Sequence, residues 1–191
     1  MKVLKNMAAL LVAMLLSLPL CASDEQYWLL ATTRTSTMQK ELDAAAVKGY
    51  RLAFASGLGG NTEIGVMMEK LPEGSPEKYS YRLLSTTNIS TLRRRIDEAA
   101  REGYRVNPNA IAIKNPAGTG REKLNNSLRE VIVIMERDLN NSDKVYEYKF
   151  PAPTRKTTLH DEMKQAVNEG YTLIAFTFRG EIIAIMEREK R

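Results

Sequence analysis

Few residues in this chain could carry chemistry, and they are scattered. His160 is the only histidine and Cys21 the only cysteine. A Cys–His nucleophile pair needs both residue types together, and a structural metal site needs several such ligands. A Ser-His-Asp triad would have to use the same His160, and the chain has no Gly-x-Ser-x-Gly elbow. His160 opens a helical stretch and stands off its apolar stripe, at the position held by Gln39 and Arg93 in two related segments. A solvated histidine is expected there. Glu69, Glu136 and Glu187 each follow a Met and precede a Lys or Arg. Paired carboxylates can share acid–base work. Three equivalent copies at strand ends are instead expected to be solvated beside their basic neighbours.

Two further stretches carry phosphate or anion chemistry in other settings. Pro116 to Glu122 has the glycines of a phosphate loop, but Asn115, Arg121 and Glu122 stand where that loop needs Gly, Lys and Ser or Thr. An ordinary turn is expected. Arg93, Arg94 and Arg95, with Arg101 and Arg105 nearby, make one helix strongly basic, although Glu98 and Glu102 are interleaved. These three arginines are the candidate anion-binding group, weighed against a solvated helix face. No residue is assigned a catalytic, cofactor-binding or metal-binding role, so the expectation is of a protein that is not an enzyme and holds no cofactor.

The elements that position these side chains are repeated. Ala45-Ala46-Val47-Lys48-Gly49-Tyr50 returns as Ala99-Ala100-Arg101-Glu102-Gly103-Tyr104 and as Ala166-Val167-Asn168-Glu169-Gly170-Tyr171. Gly fits the left-handed position just past a helix C-terminus, where a Cβ would clash. The Tyr that follows should pack on the Ala of the last turn: Tyr50 on Ala45, Tyr104 on Ala99 and Tyr171 on Ala166. Tyr27, Tyr81 and Tyr148 each precede their Gly-Tyr tyrosine by 23 residues, and Thr33/Thr87/Thr154 and Thr37/Thr91/Thr158 keep the same register. A second frame closes each unit, at Glu63–Lys70, Glu130–Arg137 and Glu181–Arg188. Register over two frames marks internal repetition.

Within a unit the periods are legible. Tyr27 to Ala31 alternates as a strand does. Met38, Leu42, Ala45 and Ala46 form one helix face, as do Leu92, Ile96, Ala99, Ala100 and Leu159, Met163, Ala166, Val167. Ser36 with Gln39 is expected to make a capping box, with Ser90 and Thr158 capping the other two helices. Two strands follow each helix, so the unit is β-α-β-β. Arg179-Gly180 is the expected two-residue turn of the third hairpin. The fold class is therefore α+β, with three helices on one face of an antiparallel or mixed sheet of about nine strands. In the closing strands, Ile64, Val66 and Met68 and their equivalents are assigned to the helices. The opposite face carries Ile132, Ile134, Ile183 and Ile185. Water is not left against so many aliphatic side chains. These four are the candidate interface, to be covered by sheet closure, a second chain or an apolar ligand.

Tyr79-x-Tyr81 and Tyr146-x-Tyr148, followed by a helix, by Glu102-Gly103-Tyr104 or Glu169-Gly170-Tyr171, and by an apolar strand ending in a basic residue, give each unit a recognisable outline. It resembles small bacterial β-α-β-β domains of unknown function whose helix-to-strand joint reads Gly-Trp-Glu-Leu-Val. Tyr replaces the Trp here, and Arg or Thr the Glu. The resemblance implies the β-α-β-β unit and no activity.

The chain begins with the basic Lys2 and Lys5, an apolar run from Met7 to Leu18, and small residues at Cys21-Ala22-Ser23. This is the pattern of a signal peptide over residues 1–23, too short to span a bilayer comfortably. Bulky Leu20 argues against lipid on Cys21, because a small residue usually precedes a lipidated cysteine. Cleavage would remove the only thiol and lower the formal charge from +5 to +3, a mild value that does not call for nucleic acid. The expected organisation is repeat 1 over 24–70, repeat 2 over 71–137 with a hairpin insertion at 107–129, and repeat 3 over 138–191, forming one body. The expected protein is periplasmic or secreted and has no transmembrane span after processing. It serves as an interaction or structural module, through a protein partner or self-association. The alternative is a binder of an anionic or apolar small ligand, such as an envelope lipid or glycan fragment.

Overall fold

The computed structural model describes residues 25–75, 78–116, 128–140, 144–151 and 156–190. The expected signal peptide with Cys21, and the segment from 117 to 127 that holds most of the phosphate-loop-like stretch, lie outside the described residues. Each unit is β-α-β-β. The first contains β1 (Tyr27–Thr32), α1 (Thr35–Val47), β2 (Tyr50–Leu58) and β3 (Glu63–Lys70). The second contains β4 (Tyr79–Thr86), α2 (Ile89–Arg101), β5 (Arg105–Lys114) and β6 (Glu130–Asp138). The third contains β7 (Tyr146–Lys149), α3 (Lys156–Asn168), β8 (Thr172–Phe178) and β9 (Ile182–Glu189).

The chain is α+β, but its strands do not join into the single sheet expected. They form three antiparallel three-stranded sheets, ordered β1-β3-β2, β4-β6-β5 and β7-β9-β8. In each, the last strand takes the centre, because it pairs with both earlier strands and leaves them as edges. The edge of β4 is satisfied by a side chain rather than by a strand of the first unit. The Gln39 amide donates to the Tyr81 carbonyl at 3.0 Å and accepts from the Leu83 N–H at 2.8 Å. A covered edge cannot template further pairing.

The helix ends follow the Gly-Tyr motif. Gly49, Gly103 and Gly170 have φ of 79°, 84° and 87°. At the second joint Tyr104 N–H reaches Ala99 O at 3.1 Å and Gly103 N–H reaches Ala100 O at 3.0 Å, the paired bonds of a Schellman cap. Tyr171 and Gly170 repeat them on Ala166 O and Val167 O. Each Tyr shares a buried cluster with its Ala. The helix starts differ from expectation. The N-cap of α1 is Arg34, with no side-chain cap, and Gln39 is drawn away to β4, so no capping box forms. Asn88, not Ser90, caps α2, accepting from Thr91 N–H at 2.9 Å. Thr158 lies inside α3. The third hairpin turns over 179–181 rather than two residues, with Arg179 N–H bonded to Glu181 O.

The left-handed φ at Gly103 sets a test of the cap. Gly103→Val is expected to cost about 2 kcal/mol, since β-branched residues do not tolerate that region, and Gly103→Asn under about 1 kcal/mol. Thermal melts of the two variants check it, and equal melting temperatures would remove the cap argument.

The buried clusters show what covers the second face of each sheet. Ile64, Val66 and Met68 pack in one cluster with Met38, Leu42 and Ala45 of α1, and so do Ile132 and Ile134 of β6. Val131, Val133 and Met135 pack with Leu92, Ile96 and Ala99 of α2, joined by Ile183 and Ile185 of β9. The rear face of the second sheet therefore lies on the first unit, and the rear face of the third sheet lies on the second. The cover is the preceding unit of the same chain, which is neither a sheet closed on itself nor a second chain. All four isoleucines are buried.

Candidate functional site: the joints between units and the two end faces

Each joint is built around a bulge. The register slips between Leu52 and Phe54 in β2 and between Val106 and Ile111 in β5. A bulge removes a backbone group from the ladder. At the first joint the Leu52 N–H donates to the Tyr81 hydroxyl at 2.9 Å, and at the second the Val106 N–H donates to the Tyr148 hydroxyl at 2.9 Å. Burial pushes both phenols well above their ordinary range, so they stay as neutral hydroxyls. The repeated first tyrosine is therefore the plug of the joint. Tyr148→Phe leaves the buried Val106 N–H without its acceptor. It is expected to cost about 2 kcal/mol and to speed exchange of that amide, read by denaturation and hydrogen exchange.

An arginine clamps each plug. Arg51 Nη2 lies 2.9 Å from Glu136 Oε1, and its guanidinium stacks over the Tyr79 ring at 4.4 Å. Arg105 Nε lies 3.0 and 3.1 Å from the two oxygens of Glu187, and its guanidinium is 4.5 Å from the Tyr146 ring. Hydrogen bonding to Glu187 holds the Arg105 guanidinium firmly protonated. Asn107, itself buried, donates to the second oxygen of Glu136 at 3.2 Å. Glu136 and Glu187 are thus not solvated strand ends beside Arg137 and Arg188. Each crosses to the arginine of the preceding unit, and Glu187 is buried. Only Glu69, in the first unit, remains exposed, with the Tyr27 hydroxyl at 3.4 Å. Arg51 and Arg105 carry no sequence-based assignment to a joint. The available signal is their place directly after the Gly-Tyr tyrosine, where the last unit has Thr172.

The basic residue after each repeated Glu has a separate task. Lys70, Arg137 and Arg188 donate to the carbonyls of Lys48, Glu102 and Glu169 at 2.8, 3.2 and 2.9 Å. The same cations lie over Tyr50, Tyr104 and Tyr171 at 4.7, 5.0 and 4.6 Å. A cation at a helix C-terminus complements its dipole and bonds its free carbonyls.

The three candidate anion-binding arginines do not converge. Arg94 pairs with Glu98 at 2.6 Å, one helical turn away, and Arg95 donates to the Ser85 carbonyl at 3.0 Å. Arg93 lines a cleft of about 190 Å³ between the second and third units, with Lys149, Phe150 and Pro151 among its walls. Partial burial raises the Asp97 carboxyl, against the pull of Arg93 and Arg101. His160 is exposed on α3. Among the described residues no group of three or more His, Cys, Asp or Glu could hold a metal ion, and no helix is long and apolar enough to cross a membrane.

Among the described residues, the outer faces of the first and third units lack the cover that the joints supply. Tyr27 stands where Tyr81 and Tyr148 stand, yet it is 52% exposed against 3% and 5%. Leu29 and Phe54 beside it are 54% and 52% exposed. At the other end Leu173 is 40% exposed, whereas Leu52 and Val106 at the same position are buried. Phe176 and Phe178, on the same strand, are 58% and 64% exposed. No protein-family model, curated protein or solved structure matches this chain significantly.

Proposed function

We propose that this chain is an exported, noncatalytic repeat protein, periplasmic or secreted, that acts as an interaction or structural module. The observation that carries this reading is the pair of apolar end faces, around Phe54 and around Phe178, left open on a body that covers every equivalent interior face. Contiguous apolar surface on a soluble body marks a contact site. The side chains that could have carried chemistry support the same reading. Glu136 and Glu187 are engaged by Arg51 and Arg105, and His160 is exposed on α3. The test is photo-cross-linking in cells from a reactive amino acid placed at Leu29 or at Leu173. Adducts to protein are expected at both sites. Adducts to lipid alone, or none, would overturn the reading.

A second reading, binding of a small anionic or apolar ligand, draws on the cleft between the second and third units. Arg93 and Lys149 face Phe150 and Pro151 there. Lys149 is already paired with Glu169, which lowers that carboxyl and weakens the cleft's claim on an anion. Native mass spectrometry of the purified protein would reveal a co-purifying ligand under this reading and the bare chain under the first.

A further inference from the structure

We propose that copies of this chain stack head to tail. The outer face of the first unit of one copy seats on the third unit of another, in the geometry that already joins the units within the chain. This rests on the interaction-module reading and names the partner as a second copy.

The chain already makes this interface twice within itself. At each internal joint the rear of one sheet, led by a tyrosine, sits on the helix stripe and second strand of the unit before it. In the first unit the same rear face, with Tyr27, Leu29, Phe54 and Met67, is left uncovered by the described residues. In the third unit the corresponding receiving surface is likewise uncovered by the described residues. Its helix shows the vacancy directly. Met38, Leu42, Leu92 and Ile96 have no exposed surface, but Leu159 and Met163, in the same stripe, are only half-buried. Val167 is 57% exposed where Ala100 is 2% exposed. The two surfaces are complementary halves of one joint rather than copies of one patch.

The polar groups continue as well. Tyr27 holds the position of Tyr81 and Tyr148, and Leu173 that of Leu52 and Val106, so the Tyr27 hydroxyl of one copy can accept from the Leu173 N–H of the next. His160 holds the position of Gln39, which satisfies one carbonyl and one N–H on the edge of the following strand. An imidazole offers one donor and one acceptor for the same pair on β1. The clamp does not continue. Thr172 replaces Arg51 and Arg105, and Glu25 replaces Tyr79 and Tyr146. The joint between copies therefore has the apolar surface and the plug of the internal joints without their ion pair and ring stack. It is weaker than they are, and it forms and separates with concentration. Contacts between unlike patches propagate into open chains unless the rotation closes a ring.

Sedimentation velocity of the purified protein over a wide concentration range tests this. The expected result is mass rising in steps of one chain. Phe54→Glu spoils one face and Phe178→Glu the other. Both side chains are exposed in the single chain, so both variants should melt with the parent. Each variant alone is expected to stay a monomer. An equimolar mixture is expected to give a dimer and nothing larger, because one sound face of each kind remains. A parent that stays monomeric throughout would overturn the proposal, as would Phe178→Glu dimerising alone or a mixture that stays monomeric while the parent assembles. A monomeric parent whose residue-29 probe still cross-links another protein in cells overturns self-stacking and leaves the module reading standing. A monomeric parent without any protein adduct ends both.

Discussion

Ile134→Glu is expected to cost about 5 kcal/mol, comparable to the whole stability of many domains. Ile134 is fully buried between β6 and the first unit, so the carboxylate would have neither water nor a cation. Burying it unpaired adds to the loss of apolar contact on both sides of the joint. Ile134→Val, which keeps the site apolar, should cost about 1 kcal/mol. Met67 occupies the same position in the first unit, on the uncovered rear face, and is only half-buried. Met67→Glu should cost less than about 1 kcal/mol. Urea denaturation of the three variants reads the difference. Equal costs at positions 67 and 134 would mean that the first unit does not cover the second.

The second large effect belongs to the clamp. Arg105→Gln is expected to destabilise by about 3 kcal/mol, because Glu187 would keep its charge in a buried place with its cation gone. Arg51→Gln should cost less, about 1 kcal/mol, since Glu136 retains the Asn107 amide and more access to water. The same chemical change at equivalent positions thus separates a buried from a half-open pair. Replacing Glu187 by Gln in the Arg105→Gln background should recover part of the loss, as removal of both charges leaves nothing unpaired. If Arg105→Gln matched Arg51→Gln in denaturation midpoint, Glu187 would not be desolvated.

The unit itself was legible in the sequence because local physics writes it. Gly103 and Gly170 could only serve as left-handed caps, and the stripe Leu92, Ile96, Ala99 could only face a core. The division of Ile132 and Ile134 from Val131 and Val133 followed from strand alternation. What covered the second face was not legible, since alternation shows that Ile134 needs burial and not by what. The separation into three sheets depended on which strand takes the centre, a pairing choice between residues far apart in sequence. Glu187 was misread for a related reason. Its adjacent Arg188 offered a local partner, while the partner it takes, Arg105, is 82 residues away. Local signals also misplaced the helix starts: Ser36 and Gln39 have capping-box spacing, but the free edge of β4 competes for Gln39.

The most direct test of the stacked arrangement is the nuclear Overhauser spectrum of the labelled protein. Cross-peaks are expected from the Leu52 amide to the Tyr81 ring and from the Val106 amide to the Tyr148 ring, with both amides slow to exchange. Rapid exchange at both amides, with no cross-peak to either ring, would contradict it.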